Sequence, residues 1–128
     1  MPRNFKNLEI WKLSYQLALD LYKLVEKFPE EETNLKSQIK RAAISIPLNI
    51  AEGTGRYSKN AFLQFLSYAY GSVKELQVLM MFCRDLNYIT SLEYSEYVTK
   101  MDILGRKLFL FMNKVKSQKF FNWFKNLF

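Results

Sequence analysis

The sequence predicts an all-α protein, an antiparallel up-down-up-down four-helix bundle. Three observations lead there. Apolar residues recur at spacings of three and four along four long segments. The joints between those segments are under about ten residues, which makes sequential helices antiparallel neighbours. A chain of 128 residues with 49% hydrophobic content suits one domain around one core, spanning residues 1–128.

The first helix is expected over about residues 7–28 with Leu8, Trp11, Tyr15, Ala18, Tyr22 and Val25 as its core stripe, and it ends before Pro29. The Glu30-Glu31-Glu32 run reads as a solvated entry to the second helix, about 34–54, capped by Thr33 or Asn34 and stopped by Gly53 and Gly55. Leu35, Ile39, Ala42, Ile46 and Ile50 form its core face. Ser58 or Asn60 caps a third helix, about 59–87, that buries Phe62, Phe65, Leu66, Ala69, Val73, Leu76, Met80 and Cys83. Thr90 and Glu93 have capping-box spacing and open a fourth, about 91–117, with Tyr94, Val98, Met101, Leu104, Leu108, Phe111 and Val115 inward. Gly71 and Gly105 are expected where helices approach closely.

Composition narrows the function. There is no histidine, which removes the commonest general base, the Ser-His and Cys-His pairs and the commonest transition-metal ligand. Cys83 is the single cysteine, so neither an intrachain disulfide nor a cysteine cluster for zinc can form, and its neighbours Met80, Met81 and Phe82 make it a core thiol. The sequence therefore predicts no enzyme, no cofactor and no metal site. No apolar run approaches the roughly 20 residues of a membrane span, and the start lacks a signal-peptide core, so a cytoplasmic protein is expected.

The net charge of +7 is unevenly placed. No acidic residue follows Asp102, whereas Arg106, Lys107, Lys114, Lys116, Lys119 and Lys125 do, and these six are the candidate nucleic-acid contacts. No Gly-rich phosphate loop, zinc finger or RNA-recognition motif accompanies them, so binding would act through charge with little sequence preference.

The second helix carries two anomalies, Pro47 in its interior and a continuous polar stripe. An interior proline removes a backbone hydrogen bond at a cost of about 3 kcal/mol. A kink is expected there, with Ser45, Asn49 or water meeting the lost bond. At 100° per residue, Gln38, Arg41, Ser45, Asn49, Glu52 and Arg56 fall in one narrow arc. Ile44, Pro47, Leu48 and Ala51 make the later back face apolar as well, and a helix with two apolar faces contacts something beyond its own bundle. Another copy of the chain is the economical partner. Gln64, Tyr68, Ser72 and Glu75 supply a counterpart stripe on the third helix. A turn near residues 56 and 57 would pair Asn49 with Gln64 and Ser45 with Tyr68, and would bring Arg41 to Ser72 or, as an ion pair, to Glu75, with a contact between subunits as the alternative place for this pair and the Asn49 ladder. Glu52 with Glu75 is conceivable as an acid-base pair, but Arg41, Arg56 and Asn49 beside them point to a structural network.

These residues carry a resemblance. Leu8-Glu9-Ile10-Trp11, Phe28-Pro29-Glu30, the string Arg41-Ala42-Ala43-Ile44-Ser45-Ile46-Pro47-Leu48-Asn49-Ile50-Ala51-Glu52-Gly53, then Arg56, Gly71-Ser72 and Glu75-Leu76 follow in order. The chain resembles, over residues 5 to about 115, the four-helix-bundle family also called 23S ribosomal RNA intervening-sequence proteins. The resemblance implies a ring-like homopentamer of small helical subunits, some encoded within intervening sequences of bacterial ribosomal RNA genes. A distant similarity to the accessory protein of diversity-generating retroelements implies a reverse transcriptase and nucleic acid as partners. It assigns no catalytic role to any residue.

The leading expectation is a non-enzymatic homo-oligomer that binds RNA or DNA by a basic surface. The alternative is an interaction scaffold or accessory subunit of a reverse transcriptase. The tail over 118–128 matches no feature of the family. Its Phe120, Phe124 and Leu127 at helical spacing, with basic neighbours, suit a continuation of the fourth helix packing on a neighbour better than a membrane interface.

Overall fold

The computed structural model describes residues 4–118. A short 3-10 turn, Phe5–Asn7, leads into α1 (Glu9–Val25), followed by α2 (Thr33–Thr54), α3 (Lys59–Asp85) and α4 (Ser91–Ser117). Each helix packs on the next and α4 closes against α1, giving the four-helix bundle that the periodicity predicts.

The buried stripe of α1 is Ile10, Ser14, Leu17, Ala18, Leu21, Leu24 and Val25. The expected stripe was rotated toward the aromatic residues: Trp11 and Tyr22 are only partly buried and Tyr15 is exposed. Ser14 disguises the real stripe. Its hydroxyl donates to the Trp11 carbonyl at 2.9 Å, so a polar residue sits satisfied in the core.

Glu32, not Thr33 or Asn34, caps α2: its carboxylate accepts from the Leu35 amide at 3.4 Å and from the Tyr88 hydroxyl at 3.0 Å. A carboxylate there also complements the positive end of the helix dipole. The five expected core residues of α2 are all buried. Gly53 does not stop the helix, which continues to Thr54 with Gly55 as its C-cap. Gly53 is instead a contact point. A Cβ at this position would lie 2.7 Å from Cδ1 of Phe62 and 3.1 Å from Cβ of Phe65, so only glycine admits α3 this closely.

Ser58 caps α3 through the Ala61 amide. The helix ends two residues earlier than expected because Asn87, at φ 62°, forms a Schellman turn in which Tyr88 N–H donates to the Cys83 carbonyl and Asn87 N–H to that of Arg84. The capping box at Thr90 and Glu93 starts α4. Lys27 pairs with Glu93, and that contact, with the Thr90 amide, holds the Glu93 carboxyl below its usual range.

The core gathers Ile39, Ile46, Ile50, Phe62, Leu66, Met80, Met101 and Leu108 from three helices around Leu21 of α1. Gly105 is buried, and a Cβ there would touch Val73 Cγ1 at 3.5 Å, in keeping with a close α3–α4 approach. Gly71 departs from expectation: it is exposed, and a Cβ would meet nothing within 4 Å. Burial pushes the Cys83 thiol up to about 12, which leaves it unreactive. Among the described residues no helix is long and apolar enough to cross a membrane.

Candidate functional site

The α2 signature string faces two ways. On the α3 side, the hydroxyls of Ser45 and Ser72 hydrogen-bond each other, and Ser45 also donates to the Ala42 carbonyl at 2.7 Å. Ser45 has one proton, so this chain of bonds closes with Ser72 donating to Ser45. Asn49 donates from Nδ2 to the Ser45 carbonyl at 2.7 Å. Both side chains thus serve carbonyls around Pro47 rather than that of Ala43, the group a residue-47 amide would have met. α2 runs through Pro47 without a break.

The expected register is off by one helical turn. Ser45 meets Ser72, not Tyr68, while Gln64 donates to the hydroxyl of Tyr68 within α3 at 2.8 Å and leaves Asn49 unpaired with it. Seating Phe62 and Phe65 on Gly53 sends the first turn of α3 past that level of α2, which displaces every pair. The same shift puts Arg41 nearly level with Glu75, yet the two form no ion pair among the described residues, and both side chains are exposed. Gln38 instead donates to Asn34 at 3.1 Å. Arg56 pairs with Glu52 at 3.0 Å and lies 4.6 Å above the Phe65 ring. Both partners of that pair are about half exposed, so it contributes little to stability. Glu52 is therefore engaged with a cation and stands apart from Glu75, with no acid-base pair between them.

On the α1 side the string borders an apolar groove of about 450 Å³. Ile44, Pro47, Leu48 and Ala51 form one wall, and Trp11, Tyr15, Leu19 and Tyr22 of α1, with Phe5, form the other. Trp11 stacks on Tyr15 with centroids 5.0 Å apart, and Phe5 meets Trp11 edge-on. Tyr15 is 48%, Leu19 44% and Leu48 58% exposed, an uncommon concentration of open apolar surface between two packed helices. The lining holds no carboxylate, amine or thiol, so the groove offers mainly shape and apolar area, with the Tyr15 and Tyr22 hydroxyls among its few polar groups.

The basic candidates scatter. Arg106, Lys114 and Lys116 are exposed on α4, whereas Lys107 is engaged by Glu9 at 2.9 Å. Lys119, Lys125 and the aromatic tail lie outside the described residues.

The family model described as 23S rRNA-intervening sequence protein matches residues 6–109. The chain belongs to that family. A solved structure of similar fold is a protein of unknown function from the S23 ribosomal protein family of Bacteroides thetaiotaomicron VPI-5482. It is 22% identical with a TM-score of 0.74, over 80% of this chain and 97% of that one. No curated protein matches. The intervening-sequence family match takes in both faces of α2 and all of the groove but Phe5, and it stops short of Lys114 and Lys116. Within this family member the α1 wall of the groove is what sequence reasoning misplaced. The signal was present: a second apolar stripe lies one position from the first, and it holds the aromatic residues.

Proposed function

We propose that this chain is a non-enzymatic, homo-oligomeric nucleic-acid-binding protein whose copies meet through the α1–α2 groove and together present their basic surfaces to RNA or DNA. The observation that carries the reading is the groove itself, with Tyr15, Leu19, Ile44 and Leu48 left open between two packed helices. A second open apolar surface exists on the same chain. Val78, Met81 and Phe82 of α3, with Leu86 just past its end, stand at 45–54% exposure and offer a counterpart to the groove. A groove on one copy and an apolar face elsewhere on the next make a heterologous contact, which gives a ring where the rotation between copies closes and a filament where it does not. Five copies is the number that the family resemblance implies.

Assembly multiplies the basic surface, so weak contacts gain avidity. Membership in a family described by an rRNA intervening sequence supports nucleic acid as the polyanion. The same groove favours a second reading, in which a protein partner such as a reverse transcriptase occupies it and the chain acts as an accessory subunit.

Native mass spectrometry of protein purified without nuclease tests both. The expected result is one closed assembly with co-purifying nucleic acid, and an affinity for RNA that falls linearly on a log-log salt plot. A monomer at all working concentrations would overturn the assembly, and a flat salt response would overturn nucleic-acid binding. An assembly free of nucleic acid and indifferent to RNA would leave the accessory-subunit reading in its place.

A further inference from the structure

A second groove, between α3 and α4, has a different chemistry. On a wheel of 100° per residue, Lys59, Ser67, Tyr70, Lys74 and Gln77 share an arc of about 80° on α3, and Asp102, Arg106, Phe109, Asn113 and Lys116 share one of about 80° on α4. Three contacts show that these arcs face a common groove. Gln77 donates to Asp102 at 2.8 Å, the Tyr70 and Phe109 rings lie 6.4 Å apart, and the Lys59 ammonium donates to the Lys116 carbonyl at 3.0 Å. The result is an aromatic pair with cations on both sides of it along the groove.

Around the rings the groove opens into a cleft of about 420 Å³ lined by Tyr70, Lys74, Arg106 and Phe109, with Gly105 in its floor. The buried Gly105 contributes no side chain to fill it. Phe109 is 52% exposed, a large aromatic surface left in water. The Lys74 ammonium stands 5.2 Å from the Tyr70 centroid, and Arg106 makes no ion pair among the described residues. Two carboxylates fall on these arcs and both are occupied, Asp102 by the Gln77 amide and Asp85, at the far end of α3, by Arg84.

Exposed rings interleaved with cations along a groove are what single-stranded nucleic acid needs: unpaired bases stack on the rings while phosphates meet the cations. A duplex offers the phosphates but keeps its bases stacked within the helix, an apolar peptide would leave the cations unpaired, and an acidic peptide would meet the cations but leave the rings uncovered. We propose that the α3–α4 groove is a single-strand track, in which bases stack on Phe109 and Tyr70 and the backbone runs between Lys74 with Arg106 at one end and Lys59 with Lys116 at the other. The cations are about 22 Å apart along α3 at the helical rise from Lys59 to Lys74, room for a short run of nucleotides. This track rests on the nucleic-acid reading above and names the strand type and the residues that deliver it.

The test is fluorescence anisotropy with the full chain, a labelled oligouridine and an RNA duplex of equal length, each over a salt series. The oligouridine is expected to bind more tightly than the duplex. Tyr70→Leu and Phe109→Leu, which keep apolar volume, should each weaken the single strand roughly tenfold with the salt slope unchanged and duplex binding unaffected. Arg106→Gln, at an exposed position that leaves the fold intact, should lower the single-strand slope by roughly 0.7. Full oligouridine affinity in both leucine variants, an unchanged slope in Arg106→Gln, or a duplex bound as tightly as the single strand would each overturn the track while nucleic-acid binding stands. No binding of either RNA by the wild-type chain at low salt would overturn both. Loss of oligouridine binding to competing anionic vesicles, through the same three residues, would reassign the groove to a lipid surface and overturn it too.

Discussion

The two sides of α2 differ in what they leave unfinished. Toward α3, Gly53 receives Phe62 and Phe65 and the Ser45 and Ser72 hydroxyls close on each other, so the seam is filled and its hydrogen bonds are made. Toward α1, only a few residues away on the same helix, Ile44 and Leu48 stay open beside Tyr15 and Leu19. One short string thus carries a completed interface and an open one. The difference separates residues that specify the fold from residues left available for a partner, and substitutions on the two sides should fail in different ways.

The largest effect is expected at Gly53. Replacing a helical glycine ordinarily gains about 1 kcal/mol from backbone entropy. Here the first added carbon would lie 2.7 Å from a buried ring, and Phe65 Cβ, 3.1 Å away, cannot swing aside as a side-chain tip could. Overpacking at such a site typically costs 1–3 kcal/mol, so Gly53→Leu should lose about 3 kcal/mol in urea denaturation, the branched side chain outweighing the entropy gain. A stability equal to wild type would mean that α3 does not seat on this glycine.

Ser45 comes next. Ser45→Ala removes the hydroxyl that Ser72 meets and that Ala42 accepts from, and a half-buried hydrogen bond of this kind is worth about 1 kcal/mol. Ser72→Ala should cost a similar amount, and the double variant less than the sum, since each single change leaves a partner unsatisfied. Strict additivity would show that the two hydroxyls do not act together. Arg41→Ala, by contrast, removes an exposed side chain outside this pair.

Much of this was legible in the sequence. The stripes of α2 and α4 hold in the bundle, and that of α3 in all but Phe65, which is only partly buried, because aliphatic residues at every third and fourth position leave one phase open. α1 offers two phases, and Trp11, Tyr15 and Tyr22 outweigh the real one, which passes through Ser14. Surface-active aromatics and a satisfied core serine are indistinguishable from core aromatics and a surface serine by periodicity alone. The Ser45 partner was missed for a different reason. Its register depends on how far α3 advances past Gly53, a tertiary contact that no spacing within one helix encodes, and a shift of one turn exchanges Tyr68 for Ser72; Arg41 and Glu75 stay apart for another reason, since both side chains lie in solvent outside the seam. On the open side the sequence was more informative. Ile44, Pro47, Leu48 and Ala51 were recognisable as surplus apolar residues, and only their opposite wall was hidden.

The smallest effect on the isolated bundle belongs to that open side, and it sharpens the comparison most. Leu48 is 58% exposed and touches the groove rather than the core, so Leu48→Ser should change the stability of the dilute chain by less than about 0.5 kcal/mol, the usual range for a surface position. In an assembly the remaining 58% of the side chain would be covered too, and its loss would forgo about 1–2 kcal/mol of burial in every copy. Since a ring repeats each contact, that deficit recurs around the circle, and native mass spectrometry should show the assembly falling apart at concentrations where wild type stays intact. The pairing of an unchanged monomer with a lost assembly is the signature of a face kept for a partner. Loss of monomer stability comparable to Ser45→Ala would instead place Leu48 within the bundle's own packing, and the two sides of α2 would then be alike.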